Sequence, residues 1–185
     1  MGIALPLLGV EASQISGHLF TYSGNYEAIA SYTVPSGGQS SVVFSGIPQT
    51  YQHLQVRGMI NTSGATNPTF YYNTDVISNG NYHSHHLWGT GSSVNANDQT
   101  ANYFNYNPSS SYPSTFVMDI FDYTSTTKNK TTRTLAGSDT NGGTSEIALW
   151  SSLWFATPQA INQITLLGAG VNFTQYSSFA LYGVK

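Results

Sequence analysis

The sequence predicts an all-β protein: an antiparallel β-sandwich of the jelly-roll kind, preceded by an extended N-terminal arm. Three observations carry that expectation. Apolar residues recur at every second position in short runs, the period of a half-buried strand. Clusters of Gly, Pro, Asn and Ser punctuate those runs at turn spacing. No stretch sustains helical apolar spacing over three turns. The one competing segment, Glu146 to Phe155 with Trp150, Trp154 and Phe155, lies among β-rich neighbours and reads as a strand. At 185 residues without cysteine, the chain suits one domain that buries about 70% of its unfolded surface with no disulfide.

Residues 1–25 form the arm, and residues 26–185 the sandwich. The arm carries one charge, Glu11, and Pro6 with its glycines opposes a stable helix. Left free, it would expose Ile3, Leu5, Leu7, Leu8 and Val10. At about 25 cal/mol per Å² of apolar surface, burying such a row contributes several kcal/mol to whatever it docks on. The arm is therefore expected to be held by another chain or another copy, with those five residues as its interface. Its apolar run has no preceding Lys or Arg, so it does not read as a secretion signal.

The first strand runs from Glu27 to Val34 and stops at Pro35-Ser36-Gly37-Gly38. Ser41-Val42-Val43-Phe44 follows and ends at Gly46-Ile47-Pro48. The segment His53 to Ile60 places Leu54, Val56 and Ile60 on one face and Gln55, Arg57 and Met59 on the other. Further strands are expected at 69–73, 82–88, 114–123, 131–137, 146–155, 161–167 and 174–184. Residues 95–113, rich in Asn, Ser and Tyr, read as a long exposed loop of the functional kind.

Composition excludes several functions. Charged residues make up 7% of the chain, against about 25% in ordinary domains. Net charge is −3, and the five basic residues begin only at Arg57. Nucleic-acid binding needs several cations on one face to displace counterions, so no such partner is expected. Mean hydropathy is −0.18, and no stretch approaches the roughly 18 apolar residues of a membrane span. Aromatics at 14% supply the apolar area that disordered chains lack.

Candidate chemistry is sparse. His83, His85 and His86 share one segment, with His83 and His85 on one strand face and His86 on the other. Two imidazoles can hold a transition metal, but a closed site needs more ligands. Three chains around a threefold axis would supply six nitrogens. The plainer reading is two solvent-facing histidines beside a third that bonds a loop, and no metal or cofactor is expected. Asp119 and Asp122 would point to opposite faces of a strand, which separates them as acid and base. Their expected role is structural, with Lys128, Lys130 or Arg133 as partners. No nucleophile elbow or phosphate loop occurs, so no enzyme is expected. Tyr71, Tyr72, Tyr82, Tyr103, Tyr106 and Tyr112, interleaved with Asn, have the chemistry of recognition surfaces. Tyr103, Tyr106 and Tyr112 form the candidate recognition loop, where rings would stack on a glycan; subunit interfaces favour Tyr equally.

Several segments taken in order resemble a family of tailed-bacteriophage virion structural proteins. They are Ile47-Pro48-Gln49-Thr50-Tyr51-Gln52-His53-Leu54-Gln55-Val56-Arg57-Gly58, then Tyr82 with His85 or His86 and Leu87, and the stretch His86-Leu87-Trp88-Gly89. Asp119-Ile120-Phe121-Asp122-Tyr123 with Lys130-Thr131 follows, then Leu153-Trp154, Ile161 and Ile164. The ending Ser178-Phe179-Ala180-Leu181-Tyr182-Gly183-Val184-Lys185 is the most distinctive piece. The resemblance covers about residues 26–185. It implies a β-sandwich building block of the virion with no catalytic residues, made in the host cytoplasm. The chain departs from the family in its longer apolar arm and in His83 and His85.

The leading expectation is a capsid decoration, or cement, protein that binds the major capsid protein and associates with itself as a homotrimer. The alternative is a tail-fibre or receptor-binding tip that recognises a host surface glycan through the loop at 95–113. A polysaccharide hydrolase dependent on Asp119 ranks third.

Overall fold

A computed structural model describes residues 24–64, 66–75, 80–101, 104–105, 113–138 and 146–185. The arm residues Ile3, Leu5, Leu7, Leu8 and Val10 and the loop tyrosines Tyr103, Tyr106 and Tyr112 lie outside the described residues.

Twelve strands and no helix make up the described residues. They are β1 (Tyr26–Thr33), β2 (Ser41–Ser45), β3 (His53–Ile60), β4 (Thr69–Tyr72), β5 (Tyr82–Gly89) and β6 (Val94–Ala101). They continue as β7 (Phe104–Asn105), β8 (Ser114–Ile120), β9 (Lys130–Ser138), β10 (Glu146–Trp154), β11 (Gln163–Leu167) and β12 (Ser178–Val184). Two antiparallel sheets form a β-sandwich. The larger has the order β1-β12-β3-β8-β9-β10-β5-β6 and the smaller β2-β11-β4-β7. Successive strands β1 and β2, β3 and β4, β7 and β8, and β11 and β12 lie in different sheets. Strands distant in sequence thereby become neighbours, as in β1-β12-β3 and β2-β11-β4, and the first and last strands, β1 and β12, pair with each other.

Burial follows period two where the pattern is clean. In β3, Leu54, Val56 and Ile60 face the core, as the alternation requires. In β9, Lys130, Thr132, Thr134 and Ala136 point inward while Thr131, Arg133 and Leu135 point out. The core joins these to Phe70, Tyr72, Tyr82, Tyr123, Trp154, Phe173 and Phe179. An interior this rich in Tyr and Trp must satisfy their polar tips. The Tyr82 hydroxyl accepts from the Tyr72 backbone N–H at 3.1 Å, and the Tyr72 and Thr132 hydroxyls bond at 2.5 Å. The Tyr123 hydroxyl donates to the Pro48 carbonyl, and Trp154 Nε1 donates to Asp75 at 2.5 Å.

Two segments differ from the sequence expectation. Residues 95–101, expected within the exposed loop, belong to β6, and Phe104–Asn105 pairs with β4. Val94-Asn95-Ala96-Asn97-Asp98-Gln99-Thr100 carries no apolar period because β6 is an edge strand, exposed to solvent over most of its length. Its pairing is set by the turn Thr90–Ser93, closed by a Thr90 N–H to Ser93 carbonyl bond of 3.1 Å. Gly91 in that turn sits at φ 86°, a conformation in which glycine has no Cβ penalty. The strand expected over 114–123 ends at Ile120, and a turn follows in which Asp122 is left-handed at φ 48°.

Candidate functional site

The larger sheet has eight strands and the smaller four, so the sandwich leaves chemistry on both sides of the long sheet. On the outer face, antiparallel register aligns one row of side chains across four strands. Leu87 stands opposite Leu149, Leu149 opposite Leu135, and Leu135 opposite Val117. Ile147 adjoins this row. All five are exposed, Leu135 and Leu87 by 50%, Leu149 by 41% and Ile147 by 60%. Open hollows of about 530 Å³, beside His85, Leu87 and Leu149, and about 620 Å³, beside Val117, Leu135 and Ile147, flank the row. A contiguous apolar band on a solvent face marks an interaction surface more often than isolated apolar residues do.

Beside it on the same face lies a polar cluster whose members bond one another, with Arg57 opposite Val117 and Gln55 opposite Asp119. Arg57 Nε donates to Gln55 at 2.6 Å, Gln55 Nε2 to Asp119 at 2.7 Å, and Arg133 to Asp119 at 3.0 Å. The Arg57 guanidinium also lies over the Tyr26 and Tyr182 rings at 5.5 and 5.0 Å. These bonds explain why Gln55, an outward residue, is buried. Asp119 is thus engaged structurally with Arg133. Asp122, in the following turn, lies 3.4 Å from Lys128, while its backbone N–H bonds His53 Nδ1 at 3.0 Å. Lys130, expected as a carboxylate partner, bonds backbone carbonyls instead. It is buried, and its ammonium donates to the Ser125 and Lys128 carbonyls at 2.5 and 2.7 Å. Desolvation pulls its pKa below the ordinary lysine value, against the attraction of Asp122.

On the inner face, β5, β6 and β10 line a cleft of about 270 Å³. Its floor is aromatic: the His86 ring stacks on Trp88 at 4.9 Å and on Trp150 at 6.0 Å. Its rim is Asn67, Asn97, Gln99 and Glu146. Among the described residues, His86 Nδ1 is buried without a hydrogen-bond partner, which corrects the expectation that this histidine bonds a loop. Burial holds the His86 pKa below the ordinary histidine value.

His83 and His85 share the outer face, as their spacing requires. His83 Nε2 lies 2.9 Å from Asp98 Oδ1 and His85 Nδ1 3.7 Å from the same oxygen. Of the tyrosines read as recognition residues, Tyr72 on the smaller sheet and Tyr82 on the larger are core residues, their rings meeting in the interior between the sheets.

The residues that sequence reasoning missed are Asp98, Asn97 and Gln99 on β6 and the outward aliphatics of β9 and β10. A signal existed for the first three. The four-residue turn after Gly89 fixes the hairpin register and so places Asp98 opposite His85. No protein-family profile, no curated protein and no solved structure matches this chain.

Proposed function

We propose that the chain is a structural protein of a tailed-bacteriophage virion, a capsid decoration subunit that binds the major capsid protein lattice. The observation that carries this reading is the apolar row Leu87, Leu149, Leu135 and Val117 with Ile147, set in a surface poor in ions. Covering it costs little charge desolvation, which otherwise offsets much of the contact energy. The resemblance over residues 26–185 supplies the virion context. We read the strand orders as a jelly roll, β1-β12-β3-β8 facing β2-β11-β4-β7, with β5–β6 and β9–β10 as insertions. Jelly rolls serve as viral capsid and lectin domains. In this reading the arm at residues 1–25 anchors the subunit on the lattice, self-association is trimeric, and the protein resides on the capsid surface. An antibody to the chain should label intact particles over the shell, and deletion of residues 1–16 should abolish binding to empty capsids. Particles without label, or full binding by the truncated chain together with Leu135→Asp, would overturn the proposal.

The aromatic cleft favours a second reading, a receptor-binding tip for a host glycan. Stacked Trp88, His86 and Trp150 offer ring faces to a sugar, and the Asn and Gln amides offer donors and acceptors to its hydroxyls. Cell binding that disappears in Trp88→Ala while capsid binding persists would favour it over decoration.

A further inference from the structure

We propose that His83, His85 and Asp98 form a binding site for a divalent late transition-metal ion, of the zinc or nickel class, on the outer face of the β5–β6 hairpin. One donor atom from each residue falls within 4.8 Å of the others. The two imidazoles come from alternate positions of β5 and the carboxylate from the residue directly opposite His85 on β6. The backbone register, rather than chance surface proximity, therefore converges the three groups. Two imidazoles with one carboxylate are a donor set suited to borderline metals such as zinc and nickel.

The geometry is near what an ion requires. Bonds of about 2.0–2.2 Å to nitrogen and oxygen put neighbouring ligand atoms about 3–3.5 Å apart. The His83–Asp98 and His85–Asp98 separations of 2.9 and 3.7 Å bracket that range. The His83 and His85 rings meet edge to face with centroids 4.9 Å apart, and their donor nitrogens lie within 4.8 Å of each other. His83 also has its supporting contact: Nδ1 lies 3.0 Å from Thr100 Oγ1. With Nε2 on an ion, Nδ1 carries the proton and donates to that hydroxyl, which fixes ring and tautomer. Three protein donors leave at least one coordination position for water or for a group from a docked partner. The site borders the apolar hollow at Leu87 and Leu149, on the surface assigned to docking. Metal binding is nevertheless a property of the lone chain and does not depend on the virion reading.

The site also tethers an exposed edge strand. β6 pairs only with β5 among the described residues, and an ion held by both strands opposes its fraying. Full-length chain stripped with EDTA and returned to chelator-free buffer should be titrated with zinc chloride and nickel chloride by calorimetry. The expected result is one ion per chain, with affinity weakened more than about tenfold in His85→Ala and in Asp98→Asn, since ligand loss exceeds the effect of losing a supporting contact. Both residues are exposed, so circular dichroism should report an unchanged fold. Amide exchange of β6 should slow on metal addition in the natural chain and not in the variants. No binding by either metal, or affinity unchanged in either variant, overturns the proposal.

Discussion

Gly58 is a position where the fold makes a sharp quantitative commitment. It lies on the inner face of β3, directly opposite Phe116 on β8 and Phe179 on β12. The two rings meet near it at 6.4 Å. A Cβ added at Gly58 would fall 2.2, 2.8 and 3.0 Å from three atoms of the Phe116 ring. Ordinary contact begins near 3.4 Å, so the ring must move by roughly an ångström. It has little room to do so, because Phe116 and Phe179 are both buried. Overpacking of this kind costs about 1–3 kcal/mol. Against it, Gly→Ala restricts the unfolded chain and returns about 0.4–1 kcal/mol. Gly58→Ala should therefore destabilise by about 1–2 kcal/mol. For a chain of this length that lowers Tm by about 2–8 °C. Thermal unfolding followed by circular dichroism measures it. In a Phe116→Leu background the same substitution should be neutral or stabilising, a coupling within the usual range of about 0.5–3 kcal/mol for contacting residues. Equal losses in both backgrounds would refute the claim that the Phe116 ring occupies the space over Gly58.

Three further outcomes are expected. Tyr72→Phe should cost about 1–3 kcal/mol in urea unfolding, because it strands the buried Thr132 hydroxyl now bonded at 2.5 Å; Thr132→Val added to it should recover part of the loss. Leu135→Asp should leave Tm nearly unchanged, as exposed substitutions do, yet weaken docking of the outer face by about 100-fold or more. Half of the roughly 1.5–3 kcal/mol of a buried leucine is lost, and a carboxylate must be desolvated in addition; co-sedimentation with capsids reads this. The burial of His86 sets an acid limb. Its folded pKa lies below the ordinary 6.5, so the unfolded chain binds more protons as pH falls through 6.5. Stability should then decline from that pH downward until His86 protonates in the folded state. His86→Phe, which keeps a ring between Trp88 and Trp150, should flatten this part of the profile in urea midpoints measured from pH 7.5 to 5.

Strand positions were legible in the sequence because period two is a local property. The run His53 to Ile60 declared both its strand and its buried face, and the structure places β3 there with Leu54, Val56 and Ile60 inward. β10 declared the strand but not the face. Its two alternating sets are Ala148, Trp150, Ser152 and Trp154 against Ile147, Leu149, Ser151 and Leu153. Hydropathy alone would turn the aliphatic set inward. The core has a seat for Trp154 against the Tyr72 and Tyr82 rings, and aromatic pairs of this kind contribute beyond the area they bury. The outer apolar band is the consequence of that competition. β6 was hidden because an exposed edge strand needs no apolar alternation, so the polar run at Val94–Ala101 reads as loop until β5 is laid beside it.

By itself, the sequence determined that the chain is built of short antiparallel strands, poor in charge and free of cysteine, with His83 and His85 on a common face. Those properties depend on residue type and on spacings of two. The tertiary structure alone decided which strands neighbour one another, which face of β10 is core, and that Asp98 completes a cluster with the two histidines. These outcomes rest on hydrogen-bond register between segments and on competition for one interior, and neither quantity exists until the sheets have assembled.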